Sequence, residues 1–255
     1  MTTTRQNGSL YTNIQNKVAT IEFGHPASNS FPSELLDRLT KELIVVGNND
    51  EVAVIILKSE GEKAFCAGAS FDELVAISNL KEGKQFFSGF ANVLNAMRTC
   101  GKLIIGRIQG KTVGGGVGLA AACDYALATE NAAVKLSELT IGIGPFVIEP
   151  AVTRKIGISG TSELTLDATN WKNAYWAKEK GLYAKVFENI HDLDKEVESL
   201  SEKLASYNLM ALAEMKKALW KGTENWGDLL VERAAISGEL VLSEFTKKAL
   251  EKFKK

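Results

Sequence analysis

Three consecutive glycines, Gly114 to Gly116, constrain this chain more than any other short stretch of its sequence. They follow the strand pattern KLIIGRIQG and precede an Ala- and Leu-rich run, VGLAAACD, that predicts a helix. Glycine costs backbone entropy, so a run of it indicates a tight turn or the close approach of another group. A helix start also presents unpaired N–H groups and the positive end of the helix dipole. The glycines therefore predict a close-packed turn or a place where backbone N–H groups meet an oxygen.

The glycine run does not match the patterns that bind phosphate: it lacks the Lys-Ser/Thr end of a P-loop, and GGGVG does not fit GxGxxG. A second segment, KAFCAGASFDEL (63–74), follows the apolar strand pattern VAVIILK (52–58). It places the small residues Ala67, Gly68 and Ala69 just before a helix. Two such loops, each after a strand, can each lend one N–H to a single oxygen. Together they predict an oxyanion hole.

The first part of the chain alternates short strand patterns with longer helical ones. KVATIEF (17–23) alternates apolar and polar residues, as a half-buried strand does. After it, Ser33 is predicted to cap a helix. The apolar residues of that helix share one face: Leu35, Leu36, Leu39 and Leu43. This alternation of elements is typical of the α/β class.

From Asp192 onward the pattern is helical alone. Apolar residues recur there at helical spacing: Leu193, Val197, Leu200, Leu204 and Tyr207. No repeat, low-complexity tract or proline-rich linker marks a flexible boundary. We therefore expect an α/β core over residues 1–191 and a helical region over residues 192–255.

Composition excludes several classes of function. Thirty Lys and Arg residues against 31 Asp and Glu residues give a net charge of -1, which argues against nucleic acid or an anionic membrane as a partner. Two histidines and three cysteines without CxxC spacing argue against a metal site. The polar start MTTTRQNGSLYTNIQ lacks the apolar core of a signal peptide, and no run approaches about 20 apolar residues. We expect a soluble, cytoplasmic protein without a bound metal.

Four motifs, HPASNSF, FCAGAS, GKTVGGGVGLAAACDY and LSELTIGIGP, stand in an order that resembles the enoyl-CoA hydratase/isomerase, or crotonase, superfamily. The resemblance extends over nearly the whole chain, including the helical tail. It implies a spiral of ββα units with a C-terminal helical region, assembled as a homotrimer or a dimer of trimers. It also implies an acyl-CoA thioester substrate and no further cofactor, because coenzyme A is part of the substrate.

By position in these motifs, the resemblance assigns the two oxyanion-hole N–H groups to Ala69 and Gly115. Both act through the backbone, and the neighbouring Ala67, Gly68 and Gly114 are expected to contact the substrate with little side chain in the way. Physical chemistry supports this assignment. Removing a proton beside a thioester puts charge on the carbonyl oxygen, and one preorganised donor there is worth roughly 3 kcal/mol.

The resemblance also assigns the acid/base chemistry. Hydratases of this family use two glutamates, of which the second is matched by Glu138 in KLSELTIGIGP, while Gly118 stands at the position of the first. Adding water to a double bond normally needs two groups, whereas moving a double bond needs one. The sequence therefore favours isomerisation of an enoyl-CoA with Glu138 as single acid/base. Gly118 is expected to face the pocket, so that Gly118→Glu would promote water addition.

Three alternatives remain open from the sequence. AVTRKIG resembles methylglutaconyl-CoA hydratases, and a hydratase of this kind would need another carboxylate, for which Glu149 is the nearest candidate. GGGVGLA resembles 3-hydroxyisobutyryl-CoA hydrolases, although they have an Asp where this chain has Phe146, a candidate for the acyl pocket. The third alternative is a catalytically inert acyl-CoA-binding protein.

Two further groups of side chains carry weaker expectations. Cys66 and Cys123 lie beside the glycine loops without a nearby histidine in sequence, so we interpret them as packing residues. The terminal segment TKKALEKFKK is typical of a solvated amphipathic helix. Its lysines are candidates for contacts with the phosphates of coenzyme A: Lys247, Lys248, Lys252 and Lys254.

Overall fold

The structure is a computed structural model and describes residues 7–252. Its strands, in chain order, are β1 (Ser9–Gln15), β2 (Val18–Gly24), β3 (Val54–Ser59), β4 (Ala64–Cys66), β5 (Leu103–Ile108), β6 (Lys111–Val113), β7 (Tyr125–Thr129), β8 (Val134–Lys135) and β9 (Lys185–Phe187). Six of them form one sheet in the order β1-β2-β3-β5-β7-β9, and the other three form a second sheet in the order β4-β6-β8.

The helices are α1 (Ser33–Gly47), α2 (Phe71–Ala76), α3 (Leu80–Thr99), α4 (Gly115–Ala122), α5 (Glu149–Leu166), α6 (Ala174–Glu179), α7 (Ile190–Ala205), α8 (Leu209–Leu219), α9 (Trp226–Leu240) and α10 (Glu244–Glu251). A short 3-10 helix spans Glu138–Ile141. Within residues 7–252, no helix combines the length and the apolar composition that crossing a bilayer requires.

The chain passes repeatedly from the large sheet to the small sheet and then to a helical segment. It does so through β3, β4 and α2–α3, then through β5, β6 and α4, and again through β7, β8 and the 3-10 helix with α5. Except for the antiparallel β1–β2 hairpin, the paired strands are parallel. The predicted α/β spiral of ββα units is therefore confirmed.

The local patterns predicted the core of this spiral. On β2, the side chains of Ala19, Ile21 and Phe23 are fully buried. The four leucines that the helical pattern assigns to one face of α1 are each at most 2% exposed. The ring of Phe23 packs against the rings of Phe31 and Phe65, with centroids 4.7 and 5.4 Å apart. The spacing of apolar residues identified these positions because residues on one face of a strand or helix all pack against the same neighbouring layer.

One local prediction was wrong, and another is confirmed with a shorter range. The strand predicted over residues 102–110 is β5, which ends at Ile108, and the chain then turns at Gly110 into β6 of the other sheet. A Cβ on Gly110 would lie 2.5 Å from the carbonyl oxygen of Lys63, so only glycine fits this crossing. The wrong prediction is that Ser33 caps α1, because Pro32 holds the N-cap position. Instead, the N–H and hydroxyl of Ser33 both donate to the carboxylate of Glu73.

The helical region packs on both layers. Leu193 and Val197 of α7 lie against the large sheet, where they contact apolar residues of β3, β5 and β7. Helix α9 packs along α3, with Gly83 and Gly238 in backbone contact. The predicted division at residue 192 stays a prediction, since α7 begins at Ile190 and covers the sheet of the first part.

Candidate active site

The two glycine-containing loops predicted from the sequence are in contact. Gly68, between β4 and α2, has a φ of +88°, which side chains rarely allow. A Cβ on Gly68 would lie 3.2 Å from the carbonyl oxygen of Val113 and 3.5 Å from the backbone nitrogen of Gly115. The loop after β4 and the start of α4 therefore meet backbone to backbone, and glycine at 68 permits the approach.

One N–H group in each loop is left without an acceptor. Phe31 pairs with the first loop by accepting from the N–H of Ser70 and donating to the carbonyl of Gly68, both at 2.8 Å, and this bridge does not use the N–H of Ala69. The N–H of Gly115 begins α4 and has no intrahelical partner. Among residues 7–252, no acceptor takes either N–H. Two free donors in contacting loops can hold one oxygen.

Glycine is required at each of the three positions for a different physical reason. Gly114 has a φ of +54°, and a Cβ there would lie 3.0 Å from Oε1 of Glu138. A Cβ on Gly115 would overlap the ring of Phe90, and one on Gly116 would lie 2.6 Å from the carbonyl oxygen of Cys66. The run thus makes both a close-packed turn and a helix start with accessible N–H groups.

Both loops open into one cavity of about 170 Å³. Its lining includes most of the site residues predicted from the sequence: Ala67, Gly68, Ala69, Gly114, Gly115, Glu138 and Phe146. The remaining wall is largely apolar and contains four more phenylalanines: Phe71, Phe86, Phe87 and Phe90. Among the described residues that line it, Glu138 is the one ionisable side chain. The cavity is therefore an apolar chamber with one carboxylate and two backbone donors.

Burial controls the chemistry of Glu138, which begins the 3-10 helix. The residue as a whole is half-buried, but Oε2 is shielded from solvent and has no hydrogen-bond partner among residues 7–252. Desolvation raises the pKa of this carboxyl from 4.5 to about 7, against the opposing effect of hydrogen bonds from the backbone of Glu138 and Ser137. Such a carboxylate can both accept and return a proton near neutral pH.

The C-terminal helix supports the segment that carries Glu138. The 3-10 helix ends at Gly142, whose φ is +84°. A Cβ on Gly142 would lie 2.5 Å from the ring of Phe245 and 2.7 Å from Oγ1 of Thr246, both in α10. The fully buried Thr246 also donates to the carbonyl of Leu240 at 3.0 Å, which fixes α10 to the end of α9. The helical region thereby contributes to positioning the carboxylate.

Two residues considered from the sequence lie outside the cavity wall. Gly118 is buried beneath Ile148: a Cβ at 118 would lie 2.5 Å from Cγ2 of Ile148. Gly118→Glu alone would therefore clash with Ile148 instead of simply supplying a second carboxylate. Glu149 is the first residue of α5, where its carboxylate accepts from Oγ1 of Thr153 at 2.6 Å and lies 4.0 Å from Arg233.

The two cysteines and the described C-terminal lysines lie where packing residues and a solvated helix would place them. Burial raises the pKa of the Cys66 and Cys123 thiols to about 12, so neither is ionised near neutral pH. Lys247, Lys248 and Lys252 are exposed, and Lys254 lies outside the described residues. Sequence reasoning did not single out Ile148. Its apolar side chain gives no local signal that it lies on Gly118, 30 positions earlier.

Comparison with known proteins identifies the family. The family model for enoyl-CoA hydratase/isomerase matches residues 13–252. The short-chain-enoyl-CoA hydratase of Clostridium acetobutylicum is 29% identical over 82% of this chain and 80% of that protein. The peroxisomal Delta(3,5)-Delta(2,4)-dienoyl-CoA isomerase of Arabidopsis thaliana is 27% identical over 77% of this chain and 74% of that protein.

A solved structure agrees with these matches. The crystal structure of enoyl-CoA hydratase from Bacillus halodurans superimposes with a TM-score of 0.87 and covers 95% of this chain and 99% of that chain. At 24% identity this likeness shows the fold. The family match over nearly the whole chain, the shared fold and the apolar cavity with its two backbone donors lead to one conclusion: the chain is an enzyme of the enoyl-CoA hydratase/isomerase family, with the crotonase fold.

Proposed function

We propose that this protein isomerises the double bond of an enoyl-CoA, with Glu138 as the single acid/base and the N–H groups of Ala69 and Gly115 as the oxyanion hole. One observation carries the proposal. Among the described residues that line the cavity, Glu138 is the one ionisable side chain, and its Oε2 is buried without a partner. Isomerisation needs one proton carrier, and the cavity offers one.

The reaction balances with these groups alone. Oε2 of Glu138 takes a proton from C2 of a 3-enoyl thioester, and the electron pair moves into an enolate whose charge lies on the thioester oxygen. The N–H groups of Ala69 and Gly115 stabilise that charge, each by roughly 3 kcal/mol. The proton then returns at C4 as the double bond forms between C2 and C3. A pKa of about 7 suits a group that must both take and return the proton.

The cavity also limits the acyl group. Its wall is formed mainly by phenylalanine and aliphatic side chains, and its volume of about 170 Å³ is below the several hundred Å³ typical of sites for larger ligands. A short hydrocarbon chain fits this wall better than a polar or long one. Apart from Glu138, no ionisable side chain in the described lining is available to compensate a charged acyl terminus.

Hydration of an enoyl-CoA is the second candidate, and the name of the Clostridium acetobutylicum relative favours it. Hydration and thioester hydrolysis both require an activated water, and the cavity lining offers one carboxylate for the two proton transfers of hydration. An inert acyl-CoA-binding protein is the remaining candidate. The raised pKa and unpaired oxygen of Glu138 speak against that role, because a merely structural carboxylate is normally paired.

One experiment separates these candidates. The protein is incubated with 2-enoyl-, 3-enoyl- and 3-hydroxyacyl-CoA thioesters of several chain lengths, and the products are analysed by mass and ultraviolet absorbance. We expect an unchanged mass with a shifted conjugated double bond, fastest for short chains. A gain of one water on 2-enoyl-CoA would instead indicate a hydratase, and free coenzyme A a thioesterase. Binding without any conversion would indicate the inert protein.

We further propose a homotrimer or a dimer of trimers, acting in the cytoplasm. Several large apolar side chains of the helical region are exposed in the single chain, among them Met210 at 77% and Phe245 at 64%. Helices with a second apolar face usually bury it against a neighbour. Sedimentation of a stable monomer at micromolar concentration would contradict the assembly.

A further inference from the structure

The packing of Ile148 on α4 shapes the wall of the cavity next to the oxyanion hole. Gly118 follows Gly115 by three positions on α4, so the two lie on neighbouring parts of one helix face. Ile148 is 4% exposed and also lines the cavity. Because a Cβ on Gly118 would lie 2.5 Å from Cγ2 and 2.7 Å from Cβ of Ile148, the isoleucine fills the space that a side chain at 118 would need.

Backbone contacts hold Ile148 in this position. Its N–H donates to the carbonyl of Pro145 at 3.2 Å, and its own carbonyl accepts from the N–H of Val152 at 3.1 Å at the start of α5. These bonds anchor the residue on both sides, so the side chain does not depend on a mobile loop. Its β-branched side chain also has few rotamers. The contact with Gly118 is therefore a fixed part of the wall.

This part of the wall offers a water molecule nothing to bind. Gly118 lies between Val117 and Leu119, both fully buried, and Ile148 covers it with hydrocarbon. A buried water needs two to four polar partners, and an apolar pocket without them stays dry. The three atoms nearest to a Cβ on Gly118 all belong to Ile148, and none belongs to the polar side chains of the described lining, Ser137, Glu138 and Ser237.

We propose that Ile148 determines the specificity of the reaction by excluding water from the substrate carbon chain beside α4. The inference rests on the proposed isomerisation and adds a consequence to it. With water excluded, the proton that Oε2 of Glu138 removes from C2 returns to C4 of the same molecule, instead of exchanging with solvent. The same exclusion prevents water from adding to C3.

Isotope retention tests this inference. A short 3-enoyl-CoA carrying two deuterium atoms at C2 is converted by the full-length protein in ordinary water, and early product is analysed by mass. Retention leaves the product with both deuterium atoms, one of them moved to C4. Exchange replaces the transferred deuterium with hydrogen and makes the product lighter. We expect the wild type to retain most of the transferred label and Ile148→Ala to lose most of it.

Ile143→Ala is the matched control. Ile143 lines the same cavity and is 3% exposed, but it is not among the atoms that a Cβ on Gly118 would meet. This substitution removes the same number of atoms from the same cavity as Ile148→Ala does. A general loosening of the cavity wall would therefore cause loss of label in both variants. We expect Ile143→Ala to keep the label. If Ile148→Ala does not fold, the pair Ile148→Val and Ile143→Val gives the same comparison with a smaller change.

The outcomes separate the inference from the function on which it rests. Double-bond migration with the label retained in wild type and lost in the Ile148 variants supports the inference. Migration with the label already lost in wild type, or lost equally in the Ile143 and Ile148 variants, overturns the inference and leaves isomerisation intact. Water addition in place of migration, or no migration at all, overturns the proposed function and the inference with it.

Discussion

Two buried carboxylates in this protein, Asp124 and Glu138, lie in opposite environments. Oδ2 of Asp124 accepts from Nζ of Lys216 at 2.6 Å and from the N–H of Ile104 at 2.7 Å, and Oδ1 accepts from Nε1 of Trp220 at 2.7 Å. Oε2 of Glu138 is buried with no partner among the described residues. Burial with partners is typical of a structural carboxylate, whereas burial without them is typical of functional sites.

The position of each carboxylate in the fold explains the difference. Asp124 stands between α4 and β7 and is joined across 92 residues to Lys216 of α8, with both side chains less than 5% exposed. It therefore ties the helical region to the sheet. Glu138 begins a four-residue 3-10 helix and lines an apolar cavity whose wall is formed mainly by glycine, phenylalanine and aliphatic residues. One carboxylate joins two regions, and the other lines the cavity in which we propose that the substrate binds.

The largest expected effect is on the free energy of unfolding and concerns the paired carboxylate, Asp124. Lys216→Met removes the ammonium partner of Asp124 and leaves a buried charge with fewer partners. Breaking a buried pair costs about 3 to 5 kcal/mol, and we expect the lower end because Nζ of Lys155 stays nearby, bound to the carbonyl of Asp124. Urea unfolding measures the loss. The turnover of folded enzyme should change little.

The adjacent lysine provides the matched control for that substitution. Lys217 also lies in α8 and also pairs with an acid, Glu214, but their side chains are 72% and 68% exposed. Lys217→Met should therefore change the free energy of unfolding by no more than about 0.5 kcal/mol. Equal losses for Lys216→Met and Lys217→Met would show that the buried pair has no special structural role.

The second effect is on turnover and concerns the cavity carboxylate, Glu138. Glu138→Gln keeps the shape of the side chain but removes the basic oxygen. Turnover should fall by at least about 100-fold, the lower end of what a positioned general base contributes, while acyl-CoA binding survives. Steady-state kinetics and calorimetric binding measure the two parts. Glu149→Gln is the control, because Glu149 lies outside the cavity and binds Thr153; normal turnover in Glu138→Gln would remove Glu138 from the mechanism.

The third prediction uses the raised pKa of Glu138. The base must be ionised to take a proton from C2, so kcat/KM should be level above about pH 7 and fall by about tenfold per pH unit below it. A pH–rate profile on a 3-enoyl-CoA measures this. An inflection near the ordinary carboxyl value of 4.5 would contradict the claim that burial raises the pKa of this group.

The smallest expected effect concerns stability. Between pH 4.5 and about 7, the folded protein binds a proton at Glu138 that the unfolded chain has released, so this carboxyl lowers the free energy of unfolding as pH rises through that window. Glu138→Gln removes that penalty. The variant should gain on the order of 1 kcal/mol relative to wild type at about pH 8, and less at about pH 5. Urea titrations at both values measure the difference; a stability loss that grows with pH would contradict it.

Local patterns predicted many of the residues that line the candidate site. The glycine run and the loop before α2 each follow a strand and precede a helix, and that order predicted two loops that can each lend one N–H to the same oxygen. Motif order then identified Glu138. These features are local because turn geometry and helix starts depend on a few consecutive residues. The same reasoning misassigned Ser33 as a cap, because its acceptor, Glu73, comes from a helix that begins 38 residues later.

The sequence alone determined the α/β class, the apolar faces of β2 and α1, and the small residues of the two loops that line the cavity. Tertiary structure decided which buried acid has a cationic partner: Lys216 is an ordinary helical lysine in sequence and contacts Asp124 only when α8 packs on the core. Tertiary structure also decided that the side chain of Ile148 packs directly against Gly118. The ion pair of Asp124 and the contact of Ile148 with Gly118 both join residues far apart in the chain, and only packing brings those residues together.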